Sequence, residues 1–334
     1  MIKVKGIKAE DQKGGETIPW MVWGMGVINM KIAQLEVKFK VLEDLKLPPY
    51  KGPLIRNAFG AALRKISCPF KDKECNECLL INKCVYSFIF ETPKPEGAKI
   101  MRKYKNVPHP FIIEPPTNNN THFHPNDTIL FKLILIGKAI DFLPYFLYAF
   151  ELMAEKGLGK GQKKLILSSI NQGKNIIYDG KDKLIKKEVK EKILKIEKPK
   201  KVVKKIEVNF LTPLRIFYES RLAEGLEFHI FFRSLLRRIG LLFYFYDKPL
   251  AIDFKQFINK AKDIKTISAN FKRVNWHYYS FRQKRLIKME GLIGKAIYSG
   301  NLTPFIPYLK IGEKLHVGKG TAFGLGKYKL KILG

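Results

Sequence analysis

The chain has 334 residues, 62 Lys+Arg against 30 Asp+Glu for a formal net charge of +32, and 46% hydrophobic residues. That length and apolar content can bury the cores of two ordinary domains, which excludes a disordered tail. So large a positive excess calls for a polyanion, and the usual one is nucleic acid, so a small neutral substrate is disfavoured. A membrane surface is the other polyanion, but the apolar runs at 129–136 and 239–246 fall far short of the ~20 residues that span a bilayer. The N-terminus also lacks the basic, apolar, small-residue order of a secretory signal. The expectation is a soluble, cytoplasmic protein with no membrane partner.

In chain order, residues 1–29 hold two short apolar runs and several glycines without a period, and read as an N-terminal extension. From Met30 a strand begins, because Leu35, Val37, Phe39 and Val41 alternate with Glu36, Lys38 and Lys40. The turn Leu47-Pro48-Pro49-Tyr50-Lys51-Gly52-Pro53 leads into a helix over 54–65, with Leu54, Ala58, Ala61, Ala62 and Leu63 inward and Arg56 and Arg64 outward. After a cysteine segment and a proline-rich stretch come a strand over 128–136 and an apolar helix over 142–155, where Pro144 fixes the helix start. The turn Gly157-Leu158-Gly159-Lys160-Gly161 precedes a strand at 164–168. Lysines then dominate, and 173–203 reads as an exposed linker.

The second part repeats the order. A strand over 206–211 leads to a helix over 226–246 carrying Arg233, Arg237 and Arg238. Strand runs at 274–281 and 292–298, a short helix at 303–309, a second glycine-rich segment at 318–326 and a strand at 327–333 complete it. Each part thus runs strand, helix, two strands, helix, strand. The fold expected is α+β: tandem ferredoxin-like βαββαβ domains at 30–172 and 204–334, with a Cys-rich metal-binding insertion.

Neither glycine segment has the spacing of a Walker loop, and neither follows a strand and opens a helix as a dinucleotide-binding turn must. Gly318, Gly320, Gly324 and Gly326 could let backbone N–H groups approach a phosphate, with Lys160, Lys319 and Lys327 adding charge. Tight turns at positive φ are the other reading.

The cysteines stand as Cys68-x6-Cys75-x2-Cys78-x5-Cys84 among Lys71, Asp72, Lys73, Glu74, Asn76 and Glu77. Thiolates at that spacing can complete one tetrahedral shell, and so polar a stretch is not a core. A structural zinc is expected rather than an iron–sulfur cluster, because nothing else in the chain suggests electron transfer.

Over 270–290, Lys272, Arg273, Arg282, Lys284, Arg285 and Lys288 face a single acid, Glu290, and interleave with Phe271, Trp276, Tyr278, Tyr279 and Phe281. Cations with stacking rings on a sheet edge suit single-stranded RNA. Alternation would send Trp276 and Tyr278 one way, His277 and Tyr279 the other. The six histidines form no His-x-x-x-His pair, so a catalytic metal centre is poorly supported.

The segments Phe210-Leu211-Thr212-Pro213-Leu214-Arg215, Leu236-Arg237-Arg238, Trp276-His277-Tyr278-Tyr279-Ser280-Phe281-Arg282-Gln283 and His316-Val317-Gly318-Lys319-Gly320-Thr321-Ala322-Phe323-Gly324-Leu325-Gly326 resemble the CRISPR-associated endoribonucleases that process precursor CRISPR RNA, members of the RAMP (repeat-associated mysterious protein) superfamily. In the first half, Pro48-Pro49-Tyr50-Lys51-Gly52, Arg56-Asn57-Ala58-Phe59-Gly60, the cysteines and Gly157–Gly161 carry the likeness. The resemblance implies RRM-like tandem domains and metal-independent cleavage of a repeat RNA, with no catalytic cofactor. In that chemistry a 2′-hydroxyl attacks the adjacent phosphate, assisted by a base and by cations. Many relatives are similar in placing a histidine near the first helix, whereas 54–65 contains none. His316 is then the expected base, with Tyr279 and Arg282 as partners and His229 as runner-up. Arg237, Arg238, Arg273, Trp276, Lys284 and Arg285 join the loop lysines as expected RNA contacts. The alternative function is a non-cleaving RAMP subunit gripping guide RNA inside a CRISPR effector complex, and a zinc-containing RNA-binding factor of unrelated function is a third.

Overall fold

The alternation that starts at Met30 becomes strand β1 (Met30–Val41), whose Leu35, Val37, Phe39 and Val41 are buried while Lys38 and Lys40 are exposed. The computed structural model describes residues 30–334 apart from 71–73, 99, 102–105, 117, 198 and 281–284, so the expected extension lies outside the described residues. Helix α1 (Gly52–Ser67) follows, with proline in its first turn. Then come β2 (Phe111–Glu114), β3 (Thr128–Ile136), α2 (Leu143–Lys156), β4 (Leu165–Gln172) and β5 (Asn175–Asp179). The strands form one antiparallel sheet in the order β2-β3-β1-β4-β5. On its inner face α1 and α2 pack through Phe59, whose ring lies 5.0 Å from each of Phe146 and Phe150.

The second half holds β6 (Lys205–Leu214), α3 (Phe228–Tyr246), α4 (Phe254–Ala261), β7 (Lys265–Ser280), β8 (Arg285–Ser299), α5 (Ile306–Leu315) and β9 (Tyr328–Ile332). Its sheet order is β7-β8-β6-β9. Numbering the four common strands of each half in chain order, both sheets read 2-3-1-4, so the repeat found in the sequence is a repeat of topology. Among the described residues, no helix is long and apolar enough to cross a membrane.

The lysine-rich stretch at 173–203 is not a linker. It carries β5, the short strand Leu184–Ile185 paired with β5, and Lys192–Leu194 paired with the start of β1. Ile177 and Tyr178 are buried while the lysines face water, so the charge marks an exposed side of the sheet and not a break in it.

Period two also explains how the halves join. Odd positions of β1 and β3 face the helices, whereas Met30, Ile32, Ile134 and Ile136, with Ile112 of β2, face the other way and enter the core of the second half. Glu114 lies two residues beyond Ile112 in β2 and therefore shares its face.

Candidate nucleic-acid interface

Three pieces of chain meet where the halves join: the start of α1, the glycine-rich segment after α5, and the far end of the β7–β8 hairpin. The glycine segment is fitted to protein on its inner side. A Cβ on Gly324, at φ +82, would lie 2.4 Å from Pro115 and 2.7 Å from the Ile113 carbonyl, and one on Gly52 would lie 2.0 Å from the Phe323 carbonyl. That carbonyl accepts a hydrogen bond from the Tyr50 hydroxyl at 2.8 Å. These contacts correct the phosphate-cradle reading for Gly324, which serves close packing of one half on the other, and for Gly326, where a Cβ would lie 1.8 Å from the Val317 carbonyl of its own loop; both are buried.

His316 departs furthest from expectation. It is fully buried, with Nε2 2.8 Å from Glu114 Oε1 and Nδ1 3.1 Å from the Leu325 carbonyl. Burial lowers its pKa, against the raising influence of Glu114. The other carboxylate oxygen of Glu114 receives Lys327 Nζ at 2.5 Å. Burial alone would raise Glu114; the hydrogen bond and charge of His316 and the ion pair with Lys327 outweigh it and hold the carboxyl down at about 2. Both ring nitrogens of His316 are thus engaged inside the protein, and Lys327 is committed to a carboxylate. His316 is closed off from solvent, as an RNA-contacting base would not be, and Lys327, one-fifth exposed, is spent on the Glu114 carboxylate.

Arg238 is another correction. It is buried, its Nε donates to the Leu315 carbonyl at 2.7 Å, and burial brings its pKa down to about 9. Arg237, one residue away, is exposed. Helical periodicity turns neighbours to different sides, a signal present in the sequence for any pair of adjacent arginines.

The hairpin carries the exposed chemistry. β8 pairs with β6 only as far as Leu292, so 274–280 and 285–291 have only each other as partners. This two-stranded arm is about 24 Å long at ~3.4 Å per residue. It lies over α1: the Trp276 ring is 5.6 Å from Tyr50, Tyr278 is 5.7 Å from Phe323, and Asn57 donates to the Tyr279 carbonyl at 3.3 Å. Arg273, His277 and Tyr279 lie on the opposite, exposed side, as alternation requires. Arg273 also pairs with Glu224 at 3.2 Å and Glu290 at 3.6 Å. Arg285 and Lys288 are exposed on β8. Arg282 and Lys284 lie outside the described residues.

A second cationic and aromatic patch adjoins the glycine loop. Exposed Lys319 lies 5.4 Å over the Phe217 ring, and Arg215 lies 5.6 Å over the same ring. Next to it, Tyr218 meets the His229 ring at 6.1 Å and Arg233 at 5.7 Å. His229 is partly exposed, and its Nδ1 lies 3.2 Å from Glu227. Lys160 is exposed elsewhere, in a turn whose Gly159 abuts Leu45 and Lys46 in the first half.

Sequence reasoning missed the contribution of α1. Arg56 lies 3.5 Å over the Phe90 ring and 3.2 Å from His109 Nε2, and burial, with Arg56 and Arg238 nearby, brings His109 down to about 3. Lys51 is buried at the helix start, its amine donating to the carbonyls of Pro49 and Asn118 at 3.3 Å each, and burial lowers its pKa. A lysine in a Pro/Gly turn gives no sign of burial, so nothing in the sequence marked it.

The four cysteines are reduced and line one cavity, but among the described residues no three His, Cys, Asp or Glu side chains already stand as a metal site. The expected metal-binding insertion is therefore present as a cysteine-lined excursion and not as a formed metal centre.

Comparison with known proteins sets the second half of the chain beside a family of CRISPR-associated endoribonucleases. The profile of the family described as CRISPR-associated endoribonuclease Cas6 matches residues 208–328, from β6 through the glycine loop into β9. A second profile, described as an N-terminal domain, matches 30–190. A protein of Archaeoglobus fulgidus described as uncharacterized is 26% identical over 289 residues, covering 85% of this chain and 93% of that protein. Among solved structures, a Cas6 product complex superposes with a TM-score of 0.54 at 16% identity, covering 90% of this chain and 100% of the other. Thermus thermophilus Cas6 gives 0.50 at 15%, covering 92% and 100%. A partial Cas6-RT-Cas1–Cas2 complex gives 0.53 at 13%, with 92% of this chain covered but 47% of the other, so this chain spans about half of that one. At these identities the solved structures share the fold.

Proposed function

We propose that the protein binds CRISPR repeat RNA and cleaves the precursor within the repeat, and that its halves are tandem ferredoxin-like domains. The match of 208–328 to the Cas6 endoribonuclease family supports this most strongly, because that stretch contains both the cationic hairpin and the loop that meets α1. The reaction is transesterification without a metal: the 2′-oxygen bonds to the adjacent phosphorus, the 5′-oxygen leaves, and the products carry a cyclic phosphate and a 5′-hydroxyl.

In this reading the exposed side of the hairpin grips RNA, with Arg273 and Lys288 against phosphates and Tyr279 against a base. Arg282, expected as its partner, lies outside the described residues. The general base is His229 in preference to buried His316. Glu227 holds Nδ1, which leaves Nε2 as the proton acceptor, while Arg233 and Lys319 bring positive charge to the patch for the crowded phosphorane.

Incubating the full chain with repeat RNA in EDTA tests the proposal. One cut leaving a cyclic phosphate, abolished by a single 2′-deoxy substitution at that position, is the expected result. The burial of His316 favours a second reading, a non-cleaving RAMP subunit that holds guide RNA within an effector complex. Tight binding with no product would select it.

A further inference from the structure

The excursion at 68–84 leaves the end of α1 and returns at Tyr86, and its burial pattern is unusual. Among its described residues, only Cys68, Cys75, Cys78, Cys84 and Ile81 are withdrawn from solvent, and Leu79 is 97% exposed. A segment that buries so little apolar surface cannot be ordered by the hydrophobic effect, and short segments of this kind are held by a covalent or metal staple.

The four thiols line one cavity, with Tyr86 and Ile81 among its walls. Four thiols around one small space can complete the tetrahedral shell of a single ion. The backbone suits a knuckle. Cys75–Glu77 forms a tight turn closed by Cys78 N–H donating to the Cys75 carbonyl at 3.3 Å, and Cys84 N–H donates to the Leu80 carbonyl at 2.8 Å. Arg64, on the last turn of α1, lies beside Cys68 and Cys75 and offers a cation to thiolates there.

We propose that Cys68, Cys75, Cys78 and Cys84 bind one zinc ion as a closed tetrahedral thiolate site. The four thiols line this one cavity, although among the described residues no three of them already stand at coordinating range. Each of the four loses its proton on binding and all four coordination positions are filled by sulfur, so the ion is structural and takes no part in phosphate chemistry. Its effect reaches the junction between the halves. The staple fixes the end of α1 against the turn Ser87–Glu91, whose Phe90 carries Arg56 on its face at 3.5 Å.

The test uses the full-length protein, purified with reductant, stripped by chelator and reloaded with Zn2+ or Co2+. The expected results are one zinc per chain by elemental analysis and four thiols protected from a thiol reagent only in the loaded form. The cobalt form should show sulfur-to-cobalt charge transfer with the visible bands of a tetrahedral site. Loaded protein should melt several degrees above stripped protein. Cys78→Ser should retain less than a tenth of the metal while keeping the far-ultraviolet dichroism of the wild type. If that variant fails to fold, the stripped and reloaded wild type carries the test alone. Stripped wild type that takes up no metal and melts with untreated protein overturns the proposal. So do disulfides in the fresh protein, or a brown iron chromophore in place of zinc.

Discussion

Glu114→Gln is the sharpest perturbation of the junction between the halves. The glutamine keeps the shape and can still accept from His316, but it sets an amide against the Lys327 ammonium where a carboxylate stood 2.5 Å away. A carboxyl held at about 2 instead of its ordinary 4.5 corresponds to about 3 kcal/mol at ~1.36 kcal/mol per tenfold change. Breaking one partner out of a buried pair costs about 3–5 kcal/mol, so both routes agree on scale. The variant should therefore melt about 6 °C lower at pH 7, taking ~2 °C per kcal/mol for a chain of this size. The pH dependence follows from the sign of the shift. Because the folded carboxyl is depressed, its stabilisation is complete above the ordinary carboxyl value and is lost as pH falls from about 4.5 towards 2. Between pH 8 and pH 3, denaturant melts of wild type and variant should draw together, with the gap falling to less than half by pH 3. A cycle with Lys327→Met should give a coupling of about 1 kcal/mol or more. A variant that melts within a degree of wild type at pH 7, or a gap that does not narrow with acid, would refute the reasoning.

The histidines should separate by kind of effect. His316→Ala removes the ring held between Glu114 and the Leu325 carbonyl and should cost about 2–3 kcal/mol in a denaturant melt. His229→Ala should leave the melt unchanged and slow single-turnover cleavage by about 10²–10⁴; the reverse pattern would return the base to His316. Gly324→Ala forces a Cβ against Pro115 at φ +82 and should destabilise by about 2 kcal/mol or more. Gly225→Ala, in open space, is its neutral control in the same melt. Affinity for repeat RNA should fall steeply with salt, and Lys288→Ala should reduce the log–log slope by about 0.7; an unchanged slope would take the hairpin out of the interface.

Most of the first sheet could be read from the sequence because its strands have one clear apolar face. β3 was expected at 128–136 and spans Thr128–Ile136, and α2 was expected at 142–155 and spans Leu143–Lys156. β2 was not foreseen, since four consecutive buried residues, Phe111–Glu114, give no alternation. The hairpin was underestimated. Runs at 274–281 and 292–298 cover only the ends of strands Lys265–Ser280 and Arg285–Ser299; elsewhere in them apolar side chains such as Ile267 and Leu286 lie exposed, so burial does not follow a clear hydrophobic alternation. His316 was judged by its cationic neighbours in sequence, Lys314 and Lys319, whereas its environment is made by Glu114, 202 residues away. One clue was available. The continuous apolar end of β3, Ile134-Leu135-Ile136, signals a strand covered on both faces, and what covers it is the second half.

That shared face constrains how the protein is made. Met30, Ile32, Ile112, Ile134 and Ile136 leave the ribosome long before their cover, and Glu114 before Lys327. At the usual ~5–20 residues per second, the stretch between the end of the first sheet and β9 takes on the order of ten seconds to synthesise. Throughout that interval the first half presents an uncovered apolar stripe to water and to other nascent chains. Cutting the gene between the sheets would make this exposure permanent, so the two halves expressed apart should be sticky and poorly soluble, and should recover when produced together.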